Sequence, residues 1–142
     1  MSEPASPSSV ATGRPDVELR LPADSAYASV LRTTTAGLAA RLDFTIDDIE
    51  DLRIAVGEAN AMVLEHAAPG SDLSSTFHLA PGELVVSVSV ATDGTPAPDL
   101  DSFAWQVLTT LATEADVEAT DGRLTVSMTM TSSAPPAPGG VA

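Results

Sequence analysis

The side chains able to do chemistry are few in kind. The 142 residues include 20 Asp and Glu, 6 basic residues that are all Arg, 2 His and no Cys. Without a Lys, a phosphate-cradling P-loop is excluded. Without Cys, disulfide frameworks, thiolate zinc sites and cysteine nucleophiles are excluded, and two His are too few for most metal clusters, so no metal site is expected. His66 and His78 have no neighbours that would assemble a serine-histidine-acid set, and both read as surface or helix-end residues. Paired carboxylates could do acid and base work. With 20 acids in 142 residues, however, such pairs arise by chance, and most are solvated faces.

The elements that must position any site come next. The net charge of −14 argues against a free-standing binder of nucleic acid or anionic membrane. Hydrophobic residues make up 44% of the chain and occur in short runs, which fits a soluble folded domain and neither a membrane span nor general disorder. No basic segment followed by an apolar core opens the chain, so a cytoplasmic location is expected. Residues 1–15 and 132–142 are rich in Pro, Ala, Ser and Gly and read as flexible tails around one domain at 16–131.

Within that domain, Val17, Leu19 and Leu21 alternate with Glu18 and Arg20, the period of a half-buried strand that Pro22 ends. Ser25 to Leu42 is loosely helical. Thr45 reads as a helix cap, with Asp48 at the third helical position, Phe44 and Ile49 placed as a hydrophobic staple, and Asp47 and Asp48 at the positive end of the dipole. The helix starting at Ile46 buries Ile49, Leu52, Val56, Ala59 and Val63, keeps Glu58 at the edge of that stripe, and stops before Pro69-Gly70. Leu73–Leu79 and Leu84–Ala91 form a hairpin about Pro81-Gly82. A loop from Asp93 to Asp101 leads to a helix over Phe103–Ala112, a short stretch Val117–Ala119, an Asp121-Gly122 turn and an alternating strand through Leu124, Val126, Met128 and Met130. The order β-α-α-β-β-α-β-β predicts an α+β two-layer sandwich of helices on a mostly antiparallel, mixed sheet. On these grounds alone the activity stays open.

One stretch carries more. Asp51-Leu52-Arg53-Ile54-Ala55-Val56-Gly57-Glu58-Ala59, followed by Glu65-His66-Ala67 and preceded without a gap by Arg41 to Asp48, resembles the helix of the anti-sigma factor and serine kinase family of histidine-kinase-like ATPases. Ser102 to Leu111 resembles the corresponding segment of its anti-sigma-F members. The resemblance covers about Val17 to Met130 and implies the Bergerat fold. In active members a helix motif places Glu for phosphoryl transfer and, four residues later, Asn on magnesium. Here Glu58 matches and Met62 replaces the Asn. A thioether is a poor ligand for hard Mg²⁺, and Asn60 points about 160° away on a helix and does not substitute. In the family's Asp-x-Gly-x-Gly motif, Asp93 matches, but Thr95 and Ala97 hold the glycine positions and Gly94 is displaced by one. Phe103-Ala104-Trp105 stands where a glycine lid would cover the phosphates.

The resemblance therefore implies an anti-sigma factor whose ATP site is degraded. It would sequester an alternative sigma factor of the sigma-F/sigma-B kind and be relieved by an anti-anti-sigma protein with a STAS domain. A homodimer is implied, with no cofactor required and residual ATP binding left to Asp93 and Gly94. The alternatives are a working serine kinase with Glu58 as base and an adaptor that never meets a sigma factor. Glu58 also reads as a solvated helix-edge carboxylate, and Asp93 as a turn residue. For partners, Arg32 matches a family Arg that contacts both sigma factor and antagonist, a role suited to a planar guanidinium; the alternative is a surface Arg that closes an intrahelical pair or is simply solvated. Trp105 and Phe103 read first as core residues, but Trp105 falls off the main helical stripe and is the aromatic candidate for an interface.

Overall fold

The computed structural model describes residues 13–134. Five strands and three helices follow in the expected order: β1 (Val17–Pro22), α1 (Ala28–Arg41), α2 (Ile46–Leu64), β2 (Asp72–Ala80), β3 (Glu83–Ala91), α3 (Phe103–Leu111), β4 (Glu114–Thr120) and β5 (Arg123–Thr131). The sheet order is β1-β2-β3-β5-β4. Every neighbouring pair is antiparallel, so the sheet is not mixed. The reason lies in the connections: β2–β3 and β4–β5 are two-residue hairpins, and their turns place Gly82 at φ 73° and Gly122 at φ 89°, backbone that an L-residue adopts only with strain.

Alternation decides which face is which. The row Val17, Phe77, Val86, Met128 and Ala115 crosses all five strands in register on the core side. Three residues along each strand, Arg20, Ser74, Ser89, Thr125 and Glu118 make the opposite, polar row, as expected of an antiparallel sheet with one wet face. There Ser87 and Ser127 share a 2.9 Å hydroxyl hydrogen bond, and Arg123 donates to Ser89 at 2.7 Å.

The helices cover the apolar face. α2 packs on β3 and β5 and lies between α1 and α3, and its Leu52, Val56, Ala59 and Val63 are fully buried. Its start follows the local chemistry: Thr45 Oγ1 accepts from the Asp48 N–H at 3.1 Å, while Phe44 and Ile49 both join the core. The helix ends at Leu64, short of the Pro69-Gly70 stop. The expected helix from Ser25 to Leu42 is divided. Asp24 caps a single 3-10 turn at Ser25–Tyr27, and α1 proper begins at Ala28. β4 extends beyond the expected Val117–Ala119, because all seven of its residues pair with β5.

Residues 1–12 and 135–142, most of the two expected tails, lie outside the described residues. The described part of the second tail is tied down. Ser132 N–H donates to the Gly82 carbonyl at 2.8 Å, and the backbone N–H and hydroxyl of Ser133 each donate to Asp48 Oδ2 at 2.8 Å. Asp48 is buried; burial by itself would raise its pKa, but the Ser133 and Thr45 hydrogen bonds hold it below the ordinary value.

Candidate functional site

The two sides of α2 separate the two kinds of candidate residue. Gly57 faces α1: a Cβ built there would sit 3.4 Å from Arg32 Cδ and 3.8 Å from its Nη1. The side chain of Arg32 therefore lies across α2 where the helix has no side chain of its own. It is half-buried, and among the described residues the ion pairs are Arg20 with Asp72 and Arg53 with Glu50, neither of which uses it. A guanidinium held in place without a carboxylate keeps its bidentate fork free for a partner.

Met62 faces the other way. It is buried and lines a cleft of about 110 Å³ with Glu65, His66, Pro98, Asp99, Ser102 and Ala104. The Thr92–Asp101 segment and the start of α3 thus close against the C-terminal end of α2 at the position where the family's motif has Asn. Asn60 is buried too but lies outside this lining, in line with its opposite direction on the helix. Small-molecule pockets usually span about 300–1,000 Å³, so the cleft is smaller than a nucleotide needs. Of the sequence-derived nucleotide residues, Met62 lines it together with Ala104, from the segment that stands in the lid's place. Glu58 sits one turn earlier on α2, half-buried and outside the lining.

Asp93 and Gly94 are drawn elsewhere. Gly122 N–H donates to the Gly94 carbonyl at 2.9 Å, Thr92 N–H to the Gly122 carbonyl at 2.9 Å, and Thr92 Oγ1 to the Gly94 carbonyl at 2.7 Å. Those bonds splice the start of the loop to the β4–β5 turn, with Asp93 exposed. Pro98 and Asp99 are cleft residues that the sequence did not single out, whereas Glu65, His66 and Ser102 belong to the stretches that carry the family resemblance. Ser102 carried a readable signal, a capping residue just before an apolar run; its Oγ accepts from the Trp105 N–H at 3.2 Å.

Trp105 is not the exposed aromatic. It is half-buried and packed on the core, whereas Phe103 is 77% exposed. The two are about 200° apart on a helix, so rooting Trp105 against the core turns Phe103 into solvent. His66 closes the end of α2 and His78 lies on β2, where its Nε2 is 3.2 Å from the Gly13 carbonyl. A larger open groove of about 450 Å³, between the end of α1 and the β1–β2 strands, has Leu38, Leu42, Leu79 and Pro81 on its walls and none of the motif residues. Among the described residues no cluster of three or more His, Cys, Asp or Glu is arranged for a metal, and no helix is long and apolar enough to cross a membrane.

Three helices on one face of a five-stranded antiparallel sheet, with the motif helix at the centre, define the fold of the histidine-kinase-like ATPases. The crystal structure of the RsbU and RsbW domains of Rv1364c from Mycobacterium tuberculosis shares it, with a TM-score of 0.63 over 85% of this chain and 34% of that one at 21% identity. In sequence, the chain is 39% identical to the serine-protein kinase RsbW of Halalkalibacterium halodurans over 88 residues, 61% of this chain and 52% of that protein. It is 45% identical to the RsbW of Bacillus velezensis over 51 residues, 36% of this chain and 32% of that protein. The matches thus span about half or less of these relatives' length. No family model matches the chain. The resemblance seen in the Asp51–Ala59 stretch is borne out by homologues of that name.

Proposed function

We propose that the chain is an anti-sigma factor with a degraded nucleotide site. It holds an alternative sigma factor of the sigma-F/sigma-B kind away from core RNA polymerase, and an anti-anti-sigma protein with a STAS domain displaces it. It acts in the cytoplasm as a homodimer within a stress-response partner switch, by occlusion and without a required cofactor. The observation that carries this reading is the seating of Met62. Phosphoryl transfer depends almost wholly on positioning and charge neutralisation by metal and backbone donors. At the magnesium position a buried thioether offers no hard oxygen. The cleft beside it brings the carboxylates of Glu65 and Asp99 and no Arg, so a triphosphate entering there meets charge of its own sign.

The partner side is better preserved. Arg32 is prepositioned on Gly57 and has no ion pair among the described residues, and the net charge of −14 favours encounter with the basic DNA-binding faces of a sigma factor. The second reading, an ATP-dependent serine kinase acting on the antagonist, is favoured by the retention of Glu58 and by the name of the relatives. Tagged protein incubated in native-host cytosol with and without MgATP separates the two. A sigma factor retained in both conditions, with no new phosphoserine, is the expected result. A small partner that becomes phosphorylated and is released only with ATP would overturn it. Arg32→Ala is expected to weaken sigma-factor retention at least tenfold with an unchanged melting temperature.

A further inference from the structure

From the exposed aromatic at the start of α3 we infer a second docking point for the sigma factor, separate from Arg32; this rests on the anti-sigma reading above. Phe103 is 77% exposed and Leu100, three residues before it, 49%. Both are held out rigidly. Asp99 Oδ1 accepts from the Asp101 N–H at 2.8 Å, Ser102 N–H reaches the Asp99 carbonyl at 3.3 Å, and Ser102 caps Trp105 at 3.2 Å. Gln106 Nε2 closes back on the Asp101 carbonyl at 3.3 Å. Beneath this turn Leu108 is buried and Trp105 packs on the core, so α3 cannot roll to hide Phe103 without exposing them. An aromatic side chain fixed in this way meets a pocket with little ordering entropy left to lose.

The surroundings specify the partner. Asp99 and Asp101 flank Leu100 in the chain, Glu65 borders the same cleft as Asp99, and no Arg lies between Gly94 and Gly122. An apolar knob inside an acidic rim fits an apolar pocket with a basic rim, the charge pattern of a DNA-binding protein and not that of a second copy of this acidic chain. Because α1 and α3 lie on opposite sides of α2, Arg32 and Phe103 are about two helix spacings apart, roughly 16–20 Å. A partner touching both covers the solvent side of α2.

Each alternative sigma factor of the native host, purified and immobilised, would be titrated with the full chain and its variants at two salt concentrations. For the sigma factor that binds, Phe103→Ser is expected to weaken affinity at least tenfold, mostly through faster dissociation. Glu65→Gln with Asp101→Asn should slow association and flatten the salt dependence. Ile46→Ser serves as control, because Ile46 is 79% exposed at the far end of α2 and should leave binding unchanged. Phe103→Ser binding as tightly as wild type while Arg32→Ala fails would overturn this docking point alone. Equal losses from Ile46→Ser and Phe103→Ser would also overturn it, as general loss of apolar surface. Wild type binding none of the sigma factors would overturn the anti-sigma reading and this inference together. Trp105 fluorescence of each unbound variant checks that α3 keeps its packing.

Discussion

Replacing Asp48 by Asn tests how the end of the sheet is locked to the start of α2. The Asp48 carboxylate receives the backbone N–H and the hydroxyl of Ser133, both at 2.8 Å, and sits in the first turn of α2. Asn keeps the shape and one acceptor oxygen but loses the charge. Hydrogen bonds to a charged group contribute about 1.5–3 kcal/mol against about 1 for neutral ones, and an acid at a helix N-terminus adds about 0.3–1. The expected loss at pH 7 is therefore about 1–3 kcal/mol. Because the folded pKa lies below the ordinary 3.8, the carboxylate's contribution is fully present above that value and is lost as pH falls through the folded pKa. Urea unfolding of Asp48→Asn and wild type at pH 7 and at about pH 2.5 should show the gap narrowing in acid. A double-mutant cycle with Ser133→Ala should show coupling at pH 7. A gap of equal size at both pH values, or additive effects of the two substitutions, would refute the assignment of the stabilisation to an ionised Asp48 bound to Ser133.

Restoring the motif oxygen with Met62→Asn should raise MgATP affinity by calorimetry, while costing about 2–4 kcal/mol of stability because an amide replaces a buried side chain. Gly57→Ala, whose Cβ would meet Arg32 Cδ at an ordinary 3.4 Å, should stabilise the helix by about 0.5–1 kcal/mol in thermal unfolding. Gly57→Leu should displace Arg32 and weaken partner binding without unfolding the chain. Leu52→Ala, at a position with no exposure, should cost about 2–5 kcal/mol by denaturant titration.

What the sequence determined alone is what neighbouring residues decide among themselves. The start of α2 is written in Thr45, Asp48, Phe44 and Ile49, all within one helical turn and its entry. The hairpins are written in Pro81-Gly82 and Asp121-Gly122, and the core faces of the strands in their period of two. The element order and the helix motif with its Met62 were legible for the same reason. Where a short helix could pack in more than one way, the sequence misled: on the nine residues of α3, Trp105 looked like the interface aromatic and Phe103 like a core residue. Only the seat of α3 against α2 and the core turned one inward and the other out.

The tertiary structure also decided contacts between distant residues. Ser133 reaches Asp48 across 85 positions, which ties down residues whose composition reads as a tail. Gly94 is bound to Gly122, which carries Asp93 out of the cleft where the motif comparison would have used it. β5 enters the sheet between β3 and β4, and its antiparallel pairing with β3 is a long-range contact that local propensity does not encode. Local hydrogen bonds and periodicity act over a few residues and can be read in order along the chain. Which surface each element buries is settled only when all of them compete for the same core.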